Sequence, residues 1–420
     1  MRVLIIIFGK LLIGILKLFG SSGSALPGLV VEKIYPRLLR RQLEQLDHGV
    51  VYVTGTNGKT STTKALVHLV QKCGYRVLTN PHGSNMNRGI YSTLLKYSSL
   101  TGKLPYDVAI FELDEAFSAV LSKEFQPHYV LALNVMRDQL DRYGEIDKTA
   151  EYISQAVSSA QRGVVLNSDD DRVANMSTKA IKKYFGVDGH LRQLLPTDDE
   201  LHDEESEFAH GQHKQSVTLA DYRPGKAKFR FDKQEISVDL NVSGLHNAVN
   251  ITAALAMANM ICKRIEPKSL VPMVSTIPPA FGRGETIEID GKKITLALVK
   301  NPAGFRQSLL SYSKDTFDVL LFSINDKFAD GRDVSWLWDV SFKDLPQYKK
   351  IYTSGTRAKD MSLRLSYDEH EVEYSEEELE IALDKLIEDT NKHSLVFCTY
   401  TSMLALRKLA SKYVELEDIW

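Results

Sequence analysis

Nine residues, Thr-Gly-Thr-Asn-Gly-Lys-Thr-Ser-Thr at 54–62, hold the densest chemistry in this chain. An apolar run at 50–53 precedes them and a helical pattern at 64–70 follows. Strand, glycine turn and helix start in that order make an anion cradle. Backbone N–H groups and the helix dipole face a phosphate, and Gly55 and Gly58 let the backbone come close. Thr56 and Asn57 alone lie between the glycines, where the general P-loop spacing has four residues. Lys59 is placed to reach the outer phosphates, and the hydroxyl of Thr60 or Ser61 to hold Mg²⁺. The expectation is an ATP site, with Lys59 on phosphate rather than in the core.

A second cluster, Ile-Phe-Glu-Leu-Asp-Glu-Ala at 110–116, ends another apolar run. Parallel sheets place ligands at the carboxyl ends of their strands. Glu112 is therefore the first candidate for Mg²⁺, directly or through water, with Asp114 and Glu115 behind it. The alternative is an acidic helix start. The charged segment 134–144 also follows a strand. Residues 244–250, Gly-Leu-His-Asn-Ala-Val-Asn, open an alanine-rich helix, where an Asn amide can meet adenine's edge through one donor and one acceptor. Arg283, in Phe-Gly-Arg-Gly-Glu at 281–285, follows an Ile-Pro-Pro hinge at 277–279.

These positions need a frame. Apolar runs at 50–53, 76–79, 107–112, 129–134 and 163–166 alternate with helical patterns at 64–73 and 116–123. That predicts an α/β fold with a mostly parallel sheet and helices on both faces. Residues 189–225, acidic at 198–207, read as an exposed insertion, and 226–243 as a hairpin; a helix follows at 247–262. Beyond the hinge a second α/β unit has strands near 294–299, 317–323, 349–353 and 395–398 and helices near 304–312, 376–389 and 401–412. The domains are then 1–277, with the insertion near 189–243, and a smaller 278–420. The 420 residues suffice for two cores. Lys plus Arg, 52, nearly balances Asp plus Glu, 54, which gives no electrostatic case for nucleic acid. Three cysteines without a CxxC pair suit a reducing cytoplasm and argue against a disulfide framework or a thiolate zinc site. At 2–19 two lysines interrupt an apolar run, leaving no uninterrupted span for crossing a membrane. An amphipathic helix is expected there, packed on the protein or lying on a bilayer.

The GTNGKT loop, the acids at 112–115, Asp-x-Leu-Asp-Arg at 138–142, Asn-Ser-Asp-Asp at 167–170, GLHNAVN and Gly282-Arg283 occur in the order of the Mur ligase family. The chain resembles that family over about 230 residues. The resemblance implies Lys59 and Thr60 on phosphates and Mg²⁺, Asn247 at adenine, and Arg283 near ribose or phosphate. Within the family, segments 23–28, 137–144, 300–305 and 330–339 are most similar to MurT-type members, the synthetase subunits of lipid II isoglutaminyl synthase. That implies amidation of the α-carboxyl of D-glutamate in the lipid II stem peptide through an acyl phosphate. Ammonia would come from a class I glutaminase partner in a heterodimer, in the cytoplasm at large or at the inner face of the cell membrane.

Departures sharpen the resemblance. Thr54 comes too early for the nucleotide-sugar-binding domain that typical Mur ligases carry first. Gln139 replaces a metal-binding His, no Lys follows Tyr152 for carbamylation, and Lys300-Asn301-Pro302 lacks the ribose-binding Asp. The insertion has no four-cysteine ribbon, so no structural zinc is expected. Cys73, Cys262 and Cys398 show no nucleophile elbow, which leaves ammonia to arrive from another polypeptide or from solution. The acidic, Trp-containing 330–339 segment reads as a helix start or as an interface. In the second reading Asp333 orients the partner's catalytic His, with Asp330 and Asp339 as substitutes. Lys59, Glu112 and Asp333 are thus the catalytic candidates. Two alternatives remain, an amino-acid-adding ligase and a nucleotide-gated scaffold without catalysis.

Overall fold

A computed structural model describes residues 2–18, 25–80, 87–136, 146–195, 213–242, 244–278, 283–343 and 345–414. Two sheets organise it. The first has nine strands: β1 (Gly49–Thr54), β2 (Val77–Thr79), β3 (Val108–Glu112), β4 (Tyr129–Ala132), β5 (Gly163–Asn167), β6 (Ile181–Val187), β7 (Val217–Arg223), β8 (Lys226–Phe231) and β9 (Gln234–Asp239). Their order is β2-β3-β1-β4-β5-β6-β7-β8-β9. Pairing is parallel from β2 to β7, and the β7–β8 and β8–β9 pairs are antiparallel.

Every residue of β1 is buried, as a strand covered on both faces requires. Period-2 alternation sends Val51 and Val53 to one core and Val50 and Tyr52 to the other. The first core includes α4 (Lys59–Lys72) and the helix Leu245–Ile261; the second includes the N-terminal helices. From β1 the chain passes to β2 and back to β3 on one side, then crosses to β4 on the other. That reversal opens a crevice at the carboxyl end of β1, where such sheets hold ligands.

The second sheet runs β10 (Arg283–Ile289), β11 (Lys292–Leu298), β15 (His393–Cys398), β12 (Thr316–Ser323), β13 (Gln347–Ser354) and β14 (Tyr374–Glu376) in spatial order. A two-residue turn with positive φ at Asp290 (51°) and Gly291 (76°) joins β10 to β11 antiparallel; the remaining pairs are parallel. Phe305, Phe322, Phe342 and Phe397 form its aromatic centre, with ring centroids 5.1–6.1 Å apart.

The expected insertion is corrected in part. Residues 217–239 do not stand outside the domain: β7 pairs with β6 and carries the sheet on into β8 and β9. Alternating Phe229 and Phe231 are buried because the helix Leu245–Ile261 covers that face. Residues 196–212, with His202 and His210, lie outside the described residues; His213 stacks on Tyr184 at 4.3 Å. Unforeseen elements include β6, β7, β10, β14 and the helices Ala25–Ile34, Arg37–Leu43, Asn87–Tyr97, Ile146–Ser159 and Ala358–Tyr367. Cys73 and Cys262, far apart in sequence, meet where α4 and the helix Leu245–Ile261 end, and their thiols hydrogen-bond. Among the described residues no helix is long and apolar enough to cross a membrane.

Candidate nucleotide-type site

The cradle forms where β1 turns into α4. Gly55 has φ 133° and Gly58 φ 85°, values that L side chains rarely adopt. Space reinforces conformation at Gly58, where a Cβ would lie 2.2 Å from Asn250 Oδ1. Asn250 belongs to the first turns of the helix Leu245–Ile261, so the GLHNAVN segment lies directly on the loop. Asn247, one turn earlier and mostly buried, shares that helix face.

A second strand end grips the loop from the other side. Asn134 Oδ1 accepts the Asn57 N–H at 2.8 Å, and Asn134 Nδ2 donates to Asn57 O at 3.1 Å. Thr56 Oγ1 accepts the Met136 N–H at 3.0 Å. Asp170 holds this segment in turn, one oxygen accepting the Val135 N–H at 2.7 Å and the other capping the helix Asp171–Ala174 at Val173. Burial pushes the carboxyls of Asp169 and Asp170 up to about 6. The Asn-Ser-Asp-Asp segment thus acts on the loop through Asn134.

Lys59 differs from its expectation. Its ammonium is buried, 2.8 Å from Glu115 Oε1, 2.6 Å from Gly55 O and 3.3 Å from Thr56 O. Burial pushes the fully enclosed Glu115 carboxyl up from its ordinary range, and Lys59 opposes that shift. A buried pair of this kind is costly to break, because either partner alone is an uncompensated charge. Glu115, offered by sequence as a metal candidate, is the counter-ion of Lys59. Asp114 caps α6 (Glu115–Glu124), accepting the Ala116 N–H at 3.3 Å, which is the helix-start role weighed against metal binding.

Glu112 and Thr60 come together. Thr60 Oγ1 donates to Glu112 Oε1 at 2.9 Å, and Asn80 fixes the Glu112 backbone through two 3.0 Å hydrogen bonds. Hard oxygens of a hydroxyl and a carboxylate at the mouth of the cradle suit Mg²⁺. Ser61 Oγ is buried with no hydrogen-bond partner among the described residues, as at a site built for a further oxygen ligand.

The second domain reaches the same loop. Asn301 caps the helix Pro302–Tyr312 through Gly304 N at 2.8 Å, and its Nδ2 donates to Asn57 Oδ1 at 3.0 Å. Lys300 Nζ lies 3.2 Å from Thr56 O. Asn80, Asn134, Asn250, Lys300 and Asn301 were given no role from sequence. The signal available for Asn80 and Asn134 was their place just past the ends of β2 and β4. The Arg283 side chain and the 137–144 segment lie outside what the structure describes.

The 330–339 acids separate clearly. Asp330 is buried; Thr401 N and Thr401 Oγ1 donate to its two oxygens at 2.7 and 2.5 Å, which fixes the start of the helix Tyr400–Ala410. Asp333 stays partly exposed. Its Oδ1 accepts the Ser335 N–H at 2.8 Å, and bonds from Ser335 hold its carboxyl below the usual range. Trp336 packs on Phe305, whereas Trp338 is about half exposed, edge-on to Tyr367 at 5.1 Å.

A glycine cradle at the switch point of a parallel sheet, touched by a second α/β domain, places the chain among the Mur-type ligases. Residues 53–258 match the Mur ligase middle domain and 298–403 the MurT ligase C-terminal domain. The lipid II isoglutaminyl synthase (glutamine-hydrolyzing) subunit MurT of Streptococcus pneumoniae is 32% identical, over 93% of this chain and 92% of its own length. Its Staphylococcus aureus counterpart is 28% identical over 84% of this chain and 85% of its own. The chain belongs to the MurT family. In solved structures its fold is similar to MurF ligase from Thermotoga maritima in complex with ADP, with TM-score 0.66 and 16% identity over 92% of this chain and 85% of the other.

Proposed function

We propose that this chain amidates the α-carboxyl of D-glutamate in the stem peptide of lipid II, using ATP and ammonia supplied by a glutaminase subunit. The observation that carries the reading is the Lys59 and Thr60–Glu112 arrangement at the cradle, in a chain whose relatives are named for that synthase. Thr60 and Glu112 would hold Mg²⁺, which supplies charge neutralisation on the phosphates when bound. The cradle N–H groups and Lys59 offset the charge on a γ-phosphoryl group passing to the substrate carboxylate. Ammonia then displaces phosphate from the acyl phosphate. Lys59 reaches that group only by loosening its hold on Gly55 O and Glu115. Lys300 and Asn301, on the second domain, close over the loop and exclude water that would hydrolyse the intermediate.

None of the chain's own thiols is suited to making ammonia for the cradle: two are raised, and the third, Cys73, is distant. Cys398 is fully buried in β15 with its thiol pushed up by burial. The hydrogen bond to Cys73, then burial, push Cys262 up, while Cys73 is lowered by the same bond. Cys73 and Cys262 also sit at the far end of α4, about 20 Å from the cradle at 1.5 Å per residue. A separate subunit is the consistent source. Asp333, five residues before the exposed Trp338, with Tyr367 and Leu363 exposed one helical turn apart, supports a docking face where Asp333 orients a partner histidine.

Asp333→Asn tests the whole reading on the purified pair. Glutamine-driven amidation should collapse, because a neutral amide cannot stabilise an imidazolium, while amidation driven by ammonium salts survives. Loss of both reactions with the complex intact would move Asp333 to the synthetase site. Loss of neither would leave it a turn residue.

A further inference from the structure

The helix α1 (Arg2–Leu18) is apolar on two sides, and only one is covered. Ile6 is fully buried, and Gly9 presses on Leu95 so closely that a Cβ would meet a leucine methyl at 2.7 Å. This face seats α1 on α5 (Asn87–Tyr97). On the opposite face Leu4, Phe8, Leu11 and Ile15 recur at helical spacing and are 70, 46, 61 and 50% exposed. Val3 and Ile7 flank them, also exposed. The outward residues include no acid and no uncharged polar group. An exposed apolar stripe of this size marks a surface that something covers.

The charge around it selects the cover. Residues 1–43 hold seven basic residues and one acid, Glu32, in a chain whose net charge is −2. Lys33 on α2 (Ala25–Ile34) and Arg37, Arg40 and Arg41 on α3 (Arg37–Leu43) are exposed, Arg40 pairing with Glu44 at 2.8 Å. At the margin of α1, Lys10 Nζ donates to Lys96 O at 2.9 Å, and the Lys96 ammonium sits 4.9 Å over the ring of the partly exposed Tyr97. Lysines and tyrosines so placed favour the headgroup level of a bilayer. A second copy of the same basic region would repel it; an anionic lipid surface would not.

We propose that the outward face of α1 docks the chain onto an anionic lipid bilayer. Leu4, Phe8, Leu11 and Ile15 enter the acyl region, and basic residues of α1–α3 meet the headgroups. The helix lies in the plane of the interface, since its other face is held by the protein. This surface goes beyond the amidation reading and stands without it, though a lipid-linked substrate would sit at the same plane.

The test is co-sedimentation of the full chain with vesicles of phosphatidylcholine alone and of equal parts phosphatidylcholine and phosphatidylglycerol. The wild type should pellet with the mixed vesicles, less so in high salt. Leu4→Ser/Phe8→Ser/Leu11→Ser should weaken binding by about tenfold or more, with thermal stability and ATP hydrolysis in solution unchanged. Tryptophan emission of Phe8→Trp should shift to the blue on adding the mixed vesicles, beyond any shift of the wild type. Wild-type protein left in the supernatant overturns the proposal. So does a triple variant that binds like the wild type, or an unmoved Phe8→Trp spectrum in bound protein, which would mean electrostatic attachment only. A wild-type dimer that the triple variant converts to monomer would assign the face to a second copy instead.

Discussion

Replacing Lys59 by alanine removes the counter-ion of a buried acid and, on the proposed mechanism, a phosphate contact as well. Loss of a charge-assisted contact costs about 1.5–3 kcal/mol, roughly 10- to 150-fold in the ATP requirement, and turnover should fall further because transferring phosphoryl oxygens carry more charge. The fold also suffers, since Glu115 is 3% exposed and Lys59 Nζ is its 2.8 Å partner. Stripping one member of a buried pair costs about 3–5 kcal/mol unless the other neutralises. Glu115 can do so, because burial already pushes its carboxyl up. A group whose folded pKa lies above its unfolded value adds stability at low pH and loses it as pH rises through the folded pKa. The variant's melting temperature should therefore trail the wild type more at pH 8 than at pH 5. Lys59→Ala/Glu115→Gln should recover stability and flatten that pH dependence without recovering phosphate release in the presence of lipid II and ammonium. A single variant as stable as the wild type from pH 5 to 8 would refute the ion-pair argument. One with near-normal turnover would refute the cradle assignment.

Gly58→Ala should cost more stability than Gly74→Ala in urea melts. Both have φ near 90°, but only Gly58 faces a 2.2 Å clash, with Asn250, whereas nothing lies within 4 Å of Gly74. Equal losses, about 1–2 kcal/mol of backbone strain each, would mean that Asn250 yields freely. Asn247→Ala should raise the ATP requirement and relax discrimination against GTP in phosphate-release assays; an unchanged preference would move base recognition elsewhere. Asp318 accepts from Lys349 Nζ at 2.7 Å and from the backbone N–H groups of Asn391, Lys392 and His393 at 3.0, 2.7 and 3.2 Å. Burial would raise its carboxyl, but these donors outweigh it and hold the group well below its ordinary range. Its stabilisation is present above the unfolded pKa and lost as pH falls through the folded one. Asp318→Asn should destabilise the second domain by about 1.5–3 kcal/mol at pH 7, with a difference that shrinks below pH 4 in thermal melts.

The cradle was legible because it is local. Two glycines with two residues between them, the second adjoining a Lys-Thr pair, and a strand before a helix state their geometry within a dozen residues, and Glu112 could be placed by its strand end alone. The α/β class followed from alternating strand and helix patterns for the same reason. β10 could have been read too, from the Asp290-Gly291 turn between alternating Ile residues. β7 was hidden behind the acidic tract at 198–207, whose composition spoke for solvent while the strand after it rejoined the sheet.

What sets the working state of the site is not local. Asn57 meets Asn301 across 244 residues, Asn250 closes on Gly58, and Cys262 finds Cys73 only because two helices end side by side. Sequence could name Glu115 as an acid near a strand end but not choose between metal and lysine for it. That choice depended on which carboxylate α6 turned inward, and burial then made Lys59 its necessary partner. The outward face of α1 likewise needed the fold: an apolar helix reads the same whether buried or bare, and packing on α5 covers one side and leaves the other to the solvent. Spacing determines what a residue can do, while tertiary contact determines what remains available for it to do, because each buried charge must be matched within reach.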